Sequence, residues 1–456
     1  MTATSAKPSC AVIVGLGRTG LSCARYLRAR GWRLAITDTR AQPPELARLR
    51  ELDPQIPVRL GGLDTRLLDE AVCVVASPGV SLAEPFFVEA RRRGLEIVGD
   101  IELFARAVDA PVAGITGTNG KSTVTTLLGR MAERAGIEVR VGGNLGEPAL
   151  DLLAPARATQ LYVLELSSFQ LEATTSLQLK AASVLNVTPD HLDRYPTVAA
   201  YAQAKARIFA RCDTAVINLD DPLVVAMPRP GQRTLSFSLR ASIGADYSIA
   251  EGGPRSSTQR AAGWWLTRAG EPLLPVSALK IKGLHNAANA LAALALGEAL
   301  GVALPAMLAE LQAFPGLPHR SQWVAELNGV TYINDSKGTN VGATLAAVAG
   351  MQGTLVMIAG GDGKNQDFAP LAAAFRGKVR HAVLIGRDAG VIARALQGVC
   401  TVELCASLEE AVRAAARAAR PGETVLLSPA CASLDMFRDY THRGAVFTQT
   451  VKGLAA

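Results

Sequence analysis

The chain has no run of about 20 uncharged apolar residues, so nothing in it is expected to span a membrane. Aromatic residues make up only 5% of it, and its basic residues are scattered rather than gathered. Nucleic-acid binding through a basic stripe with stacking rings is therefore not expected. Cysteine is sparse too: seven residues, an odd number, with no CxxC pair. That argues against a disulfide framework or a zinc ribbon and suits a reducing compartment. The apolar start AVIVGLG opens a glycine motif and has no small-residue cleavage site, so no signal peptide is read and a cytoplasmic location is expected. The net charge of +7 is modest for 456 residues and fits an anionic small substrate.

What is present is α/β patterning. Apolar runs ending in turns recur at 11–17, 72–79, 111–120, 161–168, 183–188, 354–363, 382–386 and 424–430, separated by helical periodicities. Runs of this kind are buried parallel strands, and their alternation with helices predicts doubly wound sheets. Ligands in such sheets bind where strands end. A chain of this length needs two or three cores. Boundaries are expected near Asp100 and near Gly316. The stretch 228–272, rich in Pro, Gly and Ser with paired Trp, reads as a small antiparallel patch or a loop region.

Motifs sit at several strand ends. Gly15-Leu16-Gly17-Arg18-Thr19-Gly20, with Asp38 after the next strand, fits a dinucleotide fingerprint, and Ser77-Pro78-Gly79 follows a later strand. By itself this allows an NAD(P)-dependent oxidoreductase, another nucleotide diphosphate such as UDP, or a packing turn. Gly117-Thr118-Asn119-Gly120-Lys121-Ser122-Thr123 joins a strand to a helix with apolar residues at 124, 127, 128 and 131. Backbone N–H groups here can cradle phosphates, with Lys121 reaching the outer ones and Ser122 or Thr123 holding Mg. Ile115 stands where the strict motif has its first glycine.

Glu165 ends an apolar strand, where a P-loop ATPase needs a carboxylate for Mg, though a salt bridge would also explain it. His191 lies between two aspartates in NVTPDHLDRY, and a structural role is the commoner one for a lone histidine. Lys205 shares a helical stripe with Tyr201, Ile208 and Cys212, so burial should depress its pKa; a snorkelling lysine is the alternative. Asn286 and Asn289 lie one turn apart at a helix start, where one can cap the helix or the pair can read an adenine edge.

GTNGKST, ELSSFQLE, NVTPDHLDRY, HNAANALAA, PHR, NDSKGTN and LLSPACASLD, in this order over the whole chain, resemble the Mur ligase family. DIELF at 100–104, VGGN at 141–144 and SLDMF look most like its D-glutamate-adding member. The resemblance implies three domains: an N-terminal Rossmann-like UDP-substrate domain (1–99), a central P-loop-type ATPase α/β domain (100–316) and a C-terminal Rossmann-like, amino-acid-binding domain (317–456). It implies ATP and Mg as cofactors, with UDP-N-acetylmuramoyl-L-alanine and D-glutamate as partners and a monomer as the form. Thr19, Asp38, Thr39, Arg40, Ser77, Gly79, Asn144 and Gln170 would line the UDP-substrate site.

Gly117, Thr118, Asn119, Gly120, Lys121, Ser122, Thr123, Asn286, Asn289, His319, Arg320 and Asp335 would meet the nucleotide. Lys337, Thr339, Lys364, Ser433, Leu434 and Tyr440 would surround D-glutamate. Tyr440 stands where the family pattern has Phe, and Gly338 where it has Ala. Ser122, Asn144, Glu165, His191 and a carbamylated Lys205 would serve the metal, and Lys121, His191 and Lys205 would act in catalysis. A folylpolyglutamate-type ligase shares the ATPase motifs but would lack the unit at 10–99. A non-catalytic nucleotide-binding module would leave His191 and Lys205 without a role.

Overall fold

The structure is a computed structural model and describes residues 9–153, 158–240, 243–252, 263–281, 283–351 and 353–454. Its first sheet holds β1 (Cys10–Val14), β2 (Arg33–Asp38), β3 (Val58–Leu60), β4 (Cys73–Ala76) and β5 (Glu96–Val98). All pairs are parallel, in the order β3-β2-β1-β4-β5. Strand order reverses between β1 and β4, which opens a crevice beyond their carboxyl ends. The glycine loop after β1 and Ser77-Pro78-Gly79 after β4 flank that crevice.

Gly15 has φ +93, a region that disfavours other residues. A Cβ on Gly20 would lie 2.0 Å from the Gly15 carbonyl oxygen, so the helix Arg18–Arg28 seats directly on the turn. Gly20→Ala forces backbone apart and should cost about 1–3 kcal/mol, as overpacking does. A denaturant titration would read this as an earlier midpoint; an unchanged midpoint would refute the close packing.

The central sheet holds β6 (Val112–Thr116), β7 (Val139–Gly143), β8 (Leu161–Glu165), β9 (Leu179–Val184), β10 (Cys212–Asn218) and β11 (Arg233–Ser238). It continues through β12 (Tyr247–Glu251), β13 (Trp264–Arg268) and β14 (Glu271–Pro275), in the order β14-β13-β12-β11-β10-β9-β6-β8-β7. Pairing is parallel from β7 to β12 and antiparallel across β12-β13-β14. The expected antiparallel patch is therefore real; positions 241–242 and 253–262 of that stretch lie outside the described residues.

β6 lies inside this sheet, between β8 and β9, with every residue buried. The helix it feeds, Lys121–Arg134, buries Val124, Leu127, Leu128 and Met131 completely. Each contributes about 1.5–3 kcal/mol by leaving water. That face packs on the helix Leu284–Ala299, which brings Asn286 and Asn289 against the loop.

The third sheet holds β15 (Gln322–Leu327), β16 (Val330–Asn334), β17 (Leu355–Gly360), β18 (Val379–Ile385), β19 (Thr401–Leu404) and β20 (Thr424–Leu427), in the order β15-β16-β20-β17-β18-β19. Only the β15–β16 pair is antiparallel. The loops after β16, β17 and β20 carry the C-terminal motifs. The first two sheets share one apolar cluster, in which Phe104 meets Tyr162 edge-on at 5.2 Å. No helix among the described residues is long and apolar enough to cross a membrane.

Two local expectations need correction. The helix carrying Lys205 runs Val198–Ala206 and passes through a 3-10 turn, so Cys212 opens β10 instead of extending the stripe. It is buried all the same. Gly283 is the N-cap of Leu284–Ala299, so neither Asn286 nor Asn289 caps that helix.

Candidate active site

The loop between β6 and its helix is built on two glycines with positive φ, Gly117 (+146) and Gly120 (+85). At Gly120 a Cβ would lie 2.4 Å from Asn289 Oδ1, so only glycine fits that approach. Lys121 curls back and donates to the Gly117 and Thr118 carbonyls, both at 2.8 Å. Burial lowers its pKa; Glu165 opposes the shift and Arg320 adds to it. Asn186 secures the loop from the end of β9, accepting from Asn119 N–H at 2.9 Å and donating to its carbonyl at 3.1 Å. Thr118 is held by the Thr188 backbone.

Glu165, 3% exposed at the end of β8, accepts from Ser122 Oγ at 2.5 Å and from Asn144 Nδ2 at 2.7 Å. Burial pushes its carboxyl up, but Lys121, Ser122 and Asn144 outweigh this and leave the pKa lowered. Arg320, from the C-terminal unit, donates to the same Ser122 Oγ at 2.5 Å. Ser122 and Glu165 offer hard oxygens of the kind magnesium prefers. Among the described residues no three His, Cys, Asp or Glu side chains cluster as ligands. A cation here would therefore need mixed donors, including phosphate oxygens.

Lys205 is 1% exposed. Its Nζ donates to the Gly117 carbonyl at 2.9 Å and approaches Thr116 Oγ1 at 3.4 Å, with the Tyr201 ring centroid 4.4 Å away. Burial, then the charge of Lys121, drives its pKa well below the ordinary lysine value. His191 holds φ +54 and packs edge-on to Phe169 at 5.0 Å, with Nε2 3.9 Å from Asp190 Oδ2. Burial lowers its pKa despite Asp190.

A cleft of about 290 Å³ opens beside the loop 117–123. Asn119, Gly120, Thr123, Asn286, Asn289, Arg320, Asp335 and Lys337 line it, joined by Leu185, Phe237 and Ala343. Asn289 Nδ2 donates to Asn286 Oδ1 at 3.1 Å, which orients the carboxamide pair. Asp335 is braced by Ser428 Oγ (2.8 Å) and Ser321 N–H (2.9 Å), and burial raises its pKa to about 6. His319 is not brought in with them. Its ring contacts Asn334 at 3.0 Å and packs toward Tyr440 and Gly444.

A second cleft, about 500 Å³, lies over the crevice of the first sheet. Thr19, Asp38, Thr39, Arg40, Ser77, Gly79, Asn144 and Gln170 all line it. Asp38 is 2% exposed and accepts from Leu16 N–H at 2.7 Å, Arg40 N–H at 2.8 Å and the Arg40 guanidinium at 2.7 and 2.9 Å. Burial pushes its carboxyl up, but these bonds outweigh it and lower the pKa. A carboxylate so occupied braces the turn and has little left for a ribose.

The set assigned to the amino acid is only partly gathered. Lys337 Nζ lies 3.8 Å from the Tyr440 ring centroid, and burial, then Arg320 and Lys121, lower its pKa to about 8. Lys364 instead reaches across to Asp190 Oδ1 at 3.0 Å. Thr339 N–H turns back to the Lys337 carbonyl, Ser433 is buried, and Leu434 is 72% exposed. The roles of two residues escaped the sequence reading. Asp190 receives Lys364 and Asn340 (3.1 Å) across the central and C-terminal units. Arg443, 1% exposed, donates to the Ser336 and Cys431 carbonyls at 2.7 and 3.1 Å and so ties two loops together. The motif around His191 includes Asp190 but does not show that Asp190 pairs with residues 150 and 174 positions later, and Arg443 meets Ser336 across 107 residues.

Three family descriptions match in order: Mur ligase MurD-like, N-terminal domain at 9–99, Mur ligase middle domain at 115–297, and Mur ligase, glutamate ligase domain at 319–431. The chain is 50% identical over 444 residues to the UDP-N-acetylmuramoylalanine–D-glutamate ligase of Methylococcus capsulatus, covering 97% of this chain and 95% of that one. It is 52% identical over 443 residues to the ligase of the same name from Nitrosococcus oceani, covering 97% and 96%.

Among solved structures, UDP-N-acetylmuramate-alanine ligase from Thermotoga maritima aligns with a TM-score of 0.61 at 18% identity, covering 97% of this chain and 99% of that one. A pseudomurein peptide ligase type C from Methanothermus fervidus aligns with the same score and identity, covering 98% and 100%. These two likenesses establish the fold. The oxidoreductase alternative is not favoured, because the relatives that match nearly the whole chain are ligases. With a phosphate loop, a carboxylate bonded to its serine, and matches along nearly the whole chain, this protein belongs to the Mur ligase family.

Proposed function

We propose that this chain is an ATP-dependent amide-forming ligase that adds D-glutamate to UDP-N-acetylmuramoyl-L-alanine in peptidoglycan synthesis. One observation carries the reading. Asn144, Glu165, Ser122 and Arg320 form a continuous hydrogen-bonded chain, with Asn144 on one cleft and Arg320 on the other. A ligase of this kind must bring a carboxylate and a polyphosphate together at such a junction. In this reading the 500 Å³ cleft takes the UDP-linked substrate, with Thr19, Asp38, Thr39, Arg40, Ser77, Gly79, Asn144 and Gln170 among its lining residues. The 290 Å³ cleft takes the nucleotide, with the loop 117–123 under its phosphates. Lys337, Thr339, Lys364, Ser433, Leu434 and Tyr440 form the glutamate side once the C-terminal unit closes, and His319 acts through its loop. Domain limits near Gly99 and Gly316 belong to the same proposal and are supported by the extents of the three sheets.

The substrate carboxylate and the γ-phosphate are both anions. Lys121, Arg320 and the loop N–H groups offset their repulsion as charge shifts in the transition state. Magnesium, held by Ser122 and Glu165, would neutralise phosphate oxygens there. Phosphoryl transfer makes an acyl phosphate and ADP. The amine of D-glutamate then attacks the carbonyl carbon, the C–O bond to phosphate breaks, and the amide and phosphate result. Closure of the units excludes water, which would otherwise hydrolyse the acyl phosphate. His191 and a carbamate on Lys205 would help hold the metal; the buried amine of Lys205, with its lowered pKa, supports that modification.

The test is phosphate release from ATP with UDP-N-acetylmuramoyl-L-alanine and, in turn, D-glutamate, L-glutamate, L-alanine and diaminopimelate. Release is expected with D-glutamate alone. Release with another amino acid in its place would overturn the amino-acid assignment, and none with all four would overturn the ligase.

A further inference from the structure

The segment DIELF lies outside both clefts, yet it grips the chain beside one of them. Its helix, Asp100–Ala105, follows the last strand of the first sheet directly. Gly99, just before it, and two side chains of this segment hold the short helix Ser168–Glu172 and the turn after it. Gly99 N–H donates to the Ala173 carbonyl at 3.1 Å. Glu102 Oε2 accepts from Thr175 and Ser176 N–H at 2.7 and 2.9 Å. Asp100 Oδ2 accepts from Gln170 Nε2 at 2.9 Å.

The last contact matters because Gln170 also lines the 500 Å³ cleft. Its Oε1 is taken by Ser167 N–H and Oγ at 3.1 and 3.2 Å, closing a capping box. One Nε2 hydrogen goes to Asp100. A carboxamide has two such hydrogens, so one donor remains. Asp100 is 2% exposed, and beyond Gln170 its carboxyl is met only by backbone N–H groups at the start of its own helix. A buried carboxylate with a single side-chain partner is costly, and flipping the amide would set Oε1 against it. The amide is therefore locked with NH2 toward Asp100.

We infer that Asp100 is a positioning residue for the ligase substrate: it fixes the Gln170 carboxamide so that its second Nε2 hydrogen is offered to an acceptor oxygen of the ligand in the adjacent cleft. The inference rests on the proposed reading of that cleft as the UDP-substrate site. It gives DIELF a role in recognition, through a contact between residues 70 apart in sequence.

The test uses the full chain and calorimetric binding of UDP-N-acetylmuramoyl-L-alanine, with KM and kcat for all three substrates. Asp100→Ala should weaken that binding and raise that KM about tenfold, the scale of one hydrogen bond to a positioned group. KM for ATP and for D-glutamate, and kcat, should stay within about twofold, because only the one cleft loses its donor. Asp100→Asn, whose carbonyl still accepts from Gln170, should recover most of the affinity. On a Gln170→Ala background, Asp100→Ala should add nothing, as coupled neighbours behave.

An unchanged KM in Asp100→Ala, equal losses in all three KM values and kcat, or full additivity with Gln170→Ala would each overturn the inference while leaving the ligase reading intact. If the wild-type chain fails to bind the UDP substrate, the reading and the inference fall together.

Discussion

Lys121→Ala is expected to lower turnover by about 10²-fold or more, because on the proposed reading it removes the cation that meets the outer phosphates. That loss corresponds to about 2.7 kcal/mol of transition-state stabilisation. Lys121 is spent on its own loop in the free protein, bonded to two carbonyls at 2.8 Å. An incoming phosphate offers a better partner than a neutral carbonyl, since its oxygens carry negative charge that attracts the ammonium. The lysine thus shapes the loop first and binds charge later.

Glu165 and Arg320 sit on the same hydrogen-bonded chain, so the deletion also leaves Glu165 without its strongest neighbouring cation. Steady-state phosphate release gives the rate, and circular dichroism confirms that the variant folds. Turnover within about threefold of wild type would remove the loop from the mechanism.

Lys205→Ala should be almost inactive and partly recovered by formate. An isolated ammonium buried among neutral groups is too costly to keep. Lys205 leans that way: its hydrogen-bond partners are a carbonyl and a hydroxyl, and burial with the charge of Lys121 outweighs Asp190 and Glu165, so its pKa lies well below the ordinary lysine value. Its neutral amine can add carbon dioxide, forming an N–C bond and releasing a proton. The product is an anion beside Lys121, which turns a repulsion into an attraction. Alanine leaves a space that formate can enter, whereas Lys205→Met fills it, so formate should rescue the first variant and not the second. Intact-mass analysis of the active protein should show the mass of one added carbon dioxide when measured without acid. An unmodified mass in fully active protein, or equal formate responses in both variants, would sink the carbamate.

The phosphate loop was legible because its signals are local. Strand 112–116, two turn glycines and the apolar spacing 124, 127, 128, 131 lie within about 20 residues, and each is set by backbone geometry or helix period. Burial of Lys205 followed from the same kind of pattern, although the stripe was carried one element too far, to Cys212. The cap at Gly283 was missed because glycine caps without a side-chain signature. Lys364 was drawn toward glutamate on family pattern, while in the structure it pairs with Asp190, 174 residues earlier.

By itself, then, the sequence determined the α/β class, the strand ends that carry chemistry, the phosphate loop and the family. Tertiary structure alone decided which strand ends meet. It joined Arg320 to Ser122 across 198 residues, Asp190 to Lys364 and Asn340, and Asp100 to Gln170. It also set the His319 ring against Asn334 and Tyr440. The reason is physical: periodicity records which face of an element is apolar, whereas a polar contact between elements depends on how the sheets are seated on one another, and no short window of residues encodes that.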